Sequence, residues 1–133
     1  MMQTTYGFGT KVELRFEEAV ARVRELLQSE GFGILTEIDV KKTMKEKLDA
    51  DFCRYVILGA CNPRLAHRAF QAELEIGLLL PCNVIIYEEG DHAVVSVMDP
   101  QVALQMAGNE TLRPVAEEAR ARLSRVVQKL STA

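Results

Sequence analysis

Residues 54–63 read RYVILGACNP, and this stretch predicts a buried strand that passes directly into a helix. Positions 54–61 are rich in β-branched and aromatic residues and carry few charges, which is typical of a central strand. Asn62 is a preferred helix N-cap and Pro63 a preferred first helical residue, so two independent preferences predict a helix from there to about Glu73. The stretch therefore indicates a fold that contains both a sheet and helices.

Upstream of this strand, the hydrophobic periodicity predicts two further strands and two helices. Apolar and charged residues alternate over residues 10–15, which indicates a strand with one buried face. An apolar helical stripe over 19–27 follows, and Gly31 offers a left-handed helix end. Residues 33–38 indicate a short strand, after which Asp39 is expected to cap a small surface helix.

Downstream, the sequence predicts an antiparallel hairpin. Residues 82–88 and 93–98 have the composition of strands, and the short connection between them contains a glycine. The apolar stretch 74–81 is interrupted by glycine and proline and is too short for periodicity to separate a strand from a buried loop. Its structure therefore stays open at the level of sequence.

Two helices complete the predicted order of elements. Asp99 and Pro100 repeat the cap-plus-proline helix start, and this helix is expected to end near Gly108. The longest apolar helical stripe in the chain runs over 112–130. With no linker and no repeat, the order predicts a single α+β domain over 1–133, a two-layer sandwich with a mixed or antiparallel sheet of about five strands and helices packed on one face.

Composition argues against several classes of protein. A net charge of -3, an aromatic content of 6% and the absence of tryptophan leave neither a basic surface nor stacking platforms, so a nucleic-acid partner is not expected. The longest apolar run is far shorter than the roughly 20 residues of a membrane helix. The polar first residues lack the pattern of a signal peptide, which predicts a cytoplasmic protein. The odd count of three cysteines indicates reduced thiols.

Two Cys-Asn pairs are the strongest candidates for a functional site, because each stands where a predicted element begins. The unpaired N–H groups at a helix start favour a thiolate, so Cys61 is the residue most expected to react or to bind a soft metal, with Cys82 as its partner. His67 lies over the same helical edge and is a candidate base or co-ligand. A structural reading stands beside this one: apolar flanks suit buried cysteines, helix capping explains Asn62, and strand-end hydrogen bonding explains Asn83.

Two functions remain open on these residues. The first is a thiol-based binding or redox module for a soft metal or a small molecule, with Cys61 and Cys82 as metal ligands and Asn62, His67 and Asn83 as further ligand-binding residues. The second is a non-catalytic module in which residues 76–80 form a dimer contact and a cleft between sheet and helices holds a small apolar ligand. Neither C-x-x-C nor H-x-x-x-H occurs, so a closed zinc site is not expected. No acid, base and nucleophile set that would identify an enzyme is recognisable.

Three blocks of the sequence carry a resemblance to a known family. GFGILTEIDVKKTMKEKL at 31–48, YVILGACNPRLAHRAF at 55–70 and EIGLLLPCNVIIY at 75–87 resemble the domain of unknown function 302 family. The most specific parts are GACNP and GLLLPCNV, which look like that family's two signature blocks. The resemblance implies a small α+β domain that assembles as a homodimer, in a family without an established activity.

Overall fold

The computed structural model describes residues 2–132, and its strands form one open sheet. The strands are β1 (Met2–Gln3), β2 (Gly7–Val12), β3 (Gly33–Asp39), β4 (Tyr55–Cys61), β5 (Cys82–Glu89) and β6 (His92–Met98). Their order in the sheet is β1-β2-β6-β5-β4-β3, and every neighbouring pair is antiparallel. The predicted α+β fold is confirmed in its antiparallel form, with six strands in place of about five. The additional strand, β1, is too short for its periodicity to be recognised.

The helices pack on one face of this sheet. They are α1 (Phe16–Ser29), α2 (Val40–Leu48), α3 (Pro63–Ala72), α4 (Pro100–Gln105) and α5 (Arg113–Leu130), with 3₁₀ segments at Leu74–Leu79 and Glu110–Leu112. Within residues 2–132, no helix combines the length and the apolar character that crossing a bilayer requires.

Local capping chemistry sets where most helices begin, as the sequence predicts. The side chains of Asp39, Asn62 and Asp99 each accept a backbone N–H of the first helical turn, at 3.0, 3.3 and 3.0 Å respectively. Each cap satisfies one of the N–H groups that the start of a helix leaves without a partner. Gly31 has a φ of 85° just after α1, in the left-handed region that glycine adopts without strain.

One prediction along the chain needs correction, and the structure defines one stretch that the sequence leaves open. The first predicted strand, 10–15, is in fact β2 at Gly7–Val12. Its beginning is invisible to a hydrophobic pattern because Gly7 and Gly9 carry no side chain, and the pairing of Gly7 with Met98 holds it in the sheet. The open stretch 74–81 is mainly a 3₁₀ segment, followed by a cis peptide bond between Leu80 and Pro81.

The main core lies between the sheet and the helices α1 and α5. Along β4, alternate residues Val56, Leu58 and Ala60 are buried on the helix-covered face, whereas Tyr55 and Ile57 keep partial exposure on the other. A second cluster joins α5 to α3, α4 and the first 3₁₀ segment through Leu65, Ala69, Ile76, Leu104, Leu112, Val115, Ala116 and Ala119. Helix α2 buries none of its side chains, as its narrow apolar stripe predicts.

The 3₁₀ segment changes the expected dimer contact at 76–80. Ile76 is only 1% exposed and belongs to the second core cluster, so it is not available to a partner. Leu78 beside it is 85% exposed. The burial of Ile76 follows from packing against helices that are distant in sequence, which periodicity over so short a stretch does not reveal.

Candidate functional site

A cavity of about 250 Å³ lies where β4 ends and β5 begins. Both Cys-Asn blocks contribute to its wall, the first through residues 60–62 and the second through residues 79–82. Side chains of α3, α4 and α5 complete the enclosure. Among the described residues, those that line the cavity are apolar except for two cysteines and Asn62, and none carries a charge.

Antiparallel pairing brings the two blocks together. Ala60 of β4 is the cross-strand partner of Cys82 of β5, so the chain leaves the sheet after one block and returns to it at the other. The intervening residues form α3 and the 3₁₀ segment, which close over the cavity. Gly59 allows this closure, because a Cβ there would come within 2.9 Å of the Pro81 ring and would also overlap the Thr36 hydroxyl.

Burial favours the protonated form of both cavity cysteines. Burial, together with the electrostatic influence of Cys61, raises the pKa of Cys82 to about 11. Burial also raises the pKa of Cys61 above its usual value of 9.0. This direction runs against the expectation of a thiolate at Cys61, because burial in this apolar wall penalises the charged form of the thiol. The remaining cysteine, Cys53, is exposed.

Asn62 has a structural role that uses both ends of its amide. Its Oδ1 accepts the backbone N–H of Leu65 at 3.3 Å, which confirms the predicted cap of α3. Its Nδ2 donates to the backbone oxygen of Glu30 at 3.5 Å, and Arg122 donates to the same oxygen at 3.0 Å. Asn62 thus ties the cavity wall to the end of α1 and to α5, and its hydrogen-bonding groups are already engaged.

The other two predicted site residues lie outside the cavity. His67 is exposed on α3 and does not line it, because the cavity face of that helix is formed by Leu65, Ala66, Ala69 and Phe70. Asn83 is exposed and lines a separate groove on the other face of the sheet. The structure therefore brings together Cys61, Asn62 and Cys82 and leaves His67 and Asn83 apart from them.

Three residues at the mouth of the cavity were not singled out from the sequence. Leu35, which is 66% exposed, lies at an irregularity in the β3–β4 pairing, and such a bulge has no signal in a single sequence. Phe70 and Gly77 lie next to each other in the wall, since a Cβ on Gly77 would lie 3.4 Å from the Phe70 ring. The one available signal was Phe70 itself, a large apolar side chain on the α3 face that carries Ala66 and Ala69.

The chemistry of the cavity is that of a small uncharged enclosure with two thiols. In the part of the chain that the structure describes, no three His, Cys, Asp or Glu side chains form a group that could hold a metal ion. Cys61 and Cys82 are consequently the two soft donors that the cavity offers. Apart from these thiols and the Asn62 amide, the wall favours contact with apolar surface.

Comparison with known proteins places this architecture in context. A family model described as "Domain of unknown function DUF302" matches residues 8–130. A crystal structure of an uncharacterized conserved protein DUF302 from Bacillus stearothermophilus is 28% identical to this chain, with a TM-score of 0.87. The similarity covers 96% of this chain and 99% of that one. A search of curated proteins finds no match.

Proposed function

Because the chain belongs to the DUF302 family, whose description assigns no activity, we propose a function from its cavity: it binds a small, uncharged, largely apolar molecule without transforming it. The observation that carries this proposal is the wall of the cavity, in which the two family-like blocks meet and no charged side chain of the described residues takes part. Removing apolar surface from water is favourable by roughly 25 cal/mol of free energy per Å². Burying a charged group without a partner costs several kcal/mol. The wall therefore favours a neutral ligand.

The polar groups of the wall support the same choice. The Asn62 amide is engaged with Leu65 and Glu30, so it has little capacity left for a ligand. The thiols of Cys61 and Cys82 are weak hydrogen-bond donors. A ligand rich in hydrogen-bonding groups would leave them unsatisfied inside the protein, at a cost of about 1–3 kcal/mol each. A redox function based on a thiolate has less support, because burial raises the pKa of both thiols.

A pair of variants on α3 tests the proposal. Ala66 lines the cavity, whereas Gln71 on the same helix is exposed and outside it. We expect Ala66→Phe to fill the cavity and to weaken binding of the neutral fluorophore N-phenylnaphthylamine by about tenfold or more, equivalent to at least roughly 1.4 kcal/mol. Gln71→Phe adds the same ring to the same helix and is expected to leave binding unchanged. Fluorescence titration measures both affinities, and circular dichroism checks that the variants are folded.

The thiols and the charge of the ligand provide two controls. Cys61→Ser keeps the shape of the wall and is expected to bind the neutral fluorophore as the original chain does. Anilinonaphthalene sulfonate, which is similar in its rings but negatively charged, is expected to bind more weakly, because its charge would be desolvated. Equal binding by the two α3 variants, or a preference for the anion, would contradict the proposal.

The oligomeric state, the domain organisation and the cellular location of the chain stay predictions. The homodimer is implied by the family resemblance, and the single domain over 1–133 and the cytoplasmic location rest on the sequence. The same holds for the expected lack of a nucleic-acid partner.

A further inference from the structure

We infer that Gly77 sets the entrance of the cavity: its missing side chain leaves the gap through which a ligand passes, and the Phe70 ring borders that gap. The role of Gly77 rests on the proposed function, because an entrance matters only if a ligand is bound. Gly77 determines how quickly the ligand enters and leaves, whereas the wall of the cavity determines how tightly it is held.

Gly77 lies where the cavity meets solvent. It lines the cavity and is exposed, and Phe70 beside it also lines the cavity and is 39% exposed. In a 3₁₀ helix, residues three apart lie on the same side. The buried Ile76 and the half-buried Leu79 therefore share the inner side of the 3₁₀ segment, and Gly77 lies off that side. Cavity and solvent thus meet at a position without a side chain.

Neither the backbone nor the packing at this position requires a glycine. The glycines with a φ in the left-handed region are Gly31, Gly90 and Gly108. Gly77 instead belongs to a 3₁₀ helix, whose φ of about −50 to −70° every L-residue adopts. A Cβ on Gly77 would lie 3.4 Å from the nearest atom of the Phe70 ring, which is van der Waals contact without overlap. The space that Gly77 leaves open is therefore what distinguishes it from alanine.

A larger side chain at this position would close the gap against Phe70. Its Cβ would contact two atoms at the edge of the ring, at 3.4 and 3.7 Å, and the atoms beyond the Cβ would occupy the opening beside the ring. A closed entrance raises the barrier that the ligand crosses in both directions. Association and dissociation then slow by the same factor, and the Kd, which is the ratio of the two rates, stays unchanged.

Stopped-flow fluorescence with N-phenylnaphthylamine tests the entrance. We expect Gly77→Leu to slow association and dissociation at least about tenfold each, while the Kd changes by less than about threefold. Gly33→Leu is the matched control, because Gly33 is exposed, does not line the cavity, and has nothing within 4 Å of the place where a Cβ would stand. The control is expected to exchange the fluorophore as fast as the original chain.

Thermal unfolding of Gly77→Ala gives a readout that needs no ligand. Replacing a glycine whose conformation alanine also adopts reduces the conformational freedom of the unfolded chain, so we expect the midpoint to rise by about 1–4 °C. A glycine kept for its backbone conformation would give a fall instead. The same variant is expected to exchange the fluorophore more slowly, so stability and ligand entry change in opposite directions.

A double variant tests whether the gap closes against Phe70. Adding Phe70→Ala to Gly77→Leu removes the ring that borders the gap, and fast exchange is expected to return. Unchanged rates in Gly77→Leu, a loss of affinity without slower association, or a lowered midpoint in Gly77→Ala would each overturn the role of Gly77. Ala66→Phe and Gln71→Phe test binding at equilibrium, so the entrance and the proposed function can fail separately.

Discussion

At the scale of single residues, Glu30 holds the end of α1 against α5. Its carboxylate is buried, with a side-chain exposure of 10%, and it accepts hydrogen bonds from Arg125 at 2.8 and 3.0 Å. The Arg125 guanidinium holds the pKa of Glu30 below its usual value of 4.5. The backbone oxygen of the same residue receives Asn62 and Arg122. Glu30 is therefore a junction between two helices and the wall of the cavity.

We expect Glu30→Gln to lower the free energy of unfolding by about 2 kcal/mol at neutral pH, because it removes a charge-assisted hydrogen bond from a buried site. A group whose pKa is depressed in the folded state contributes stability above its unfolded pKa and loses that contribution as the pH falls through the folded pKa. The difference between the original chain and the variant is thus expected to be full above pH 4.5 and to shrink in more acidic solution. Urea unfolding across this range measures it.

Glu25→Gln is the matched control for this prediction. Glu25 pairs with Arg22 at 3.2 Å on the exposed surface of α1, where the Glu25 side chain is 69% exposed. Surface pairs of this kind contribute about 0–1 kcal/mol. Equal losses in the two variants, or a Glu30→Gln loss that does not change with pH, would contradict the role given to Glu30.

At the scale of secondary-structure elements, the start of α3 decides whether the cavity wall is held in place. We expect Asn62→Ala to lower the free energy of unfolding by about 1 kcal/mol, because it leaves the N–H of Leu65 without its cap. Asn62→Ser keeps an acceptor at this position and is expected to recover most of the loss. Thermal unfolding followed by circular dichroism measures both. A Ser variant as unstable as the Ala variant would show that capping is not the cause.

The elements that the sequence predicts well are those stabilised by interactions between residues close together in the chain. The helix starts at Asp39, Asn62 and Asp99 are recognisable because a capping hydrogen bond joins residues no more than three positions apart. The hairpin between β5 and β6 is similarly local, with Gly90 at a φ of 63° in its turn. The 3₁₀ segment at Leu74–Leu79 could not be predicted, because its shape depends on Ile76 packing against residues far along the chain.

The candidate site is predictable to a similar degree. Cys61 and Cys82 stand out in the sequence, yet their meeting depends on the pairing of β4 with β5, which no local pattern specifies. The pKa of Cys61 was expected to fall, since the helix start after it is visible in the sequence. It rises because burial depends on packing around the cavity, including Val115 and Ala119 of α5, which are more than fifty positions away. Tertiary packing thus reverses a conclusion drawn from neighbours alone.

At the scale of the whole molecule, residues 2–132 place no helical layer over one face of the sheet. Tyr55, Ile57, Ile85 and Tyr87 keep partial exposure there, and the two tyrosine rings stack with their centroids 5.4 Å apart. Large exposed apolar patches commonly mark contacts between proteins. Since the family resemblance implies a homodimer, we expect a second copy of the chain to cover this face.

Light scattering at micromolar concentration is expected to give twice the chain mass of 14.9 kDa. A monomeric mass would contradict the homodimer. Ile85→Lys is expected to yield monomers, because a charge at the centre of an apolar contact would be desolvated. Leu78→Lys changes the exposed 3₁₀ segment that the sequence suggested as the contact, and it is expected to leave the dimer intact. The opposite result for these two variants would place the contact at the 3₁₀ segment.

The pairing of Ala60 with Cys82 has a consequence for how relatives of this chain can diverge. The segment between them leaves the sheet and returns to it at the same residue pair. Its length and sequence therefore do not set the register of any strand. The cost of closing such a segment grows only slowly with its length. Residues 61–81 can therefore be replaced as a unit during evolution. Such a replacement changes part of the cavity wall while the six strands keep their order. The wall of the cavity can therefore differ between relatives without a change of fold.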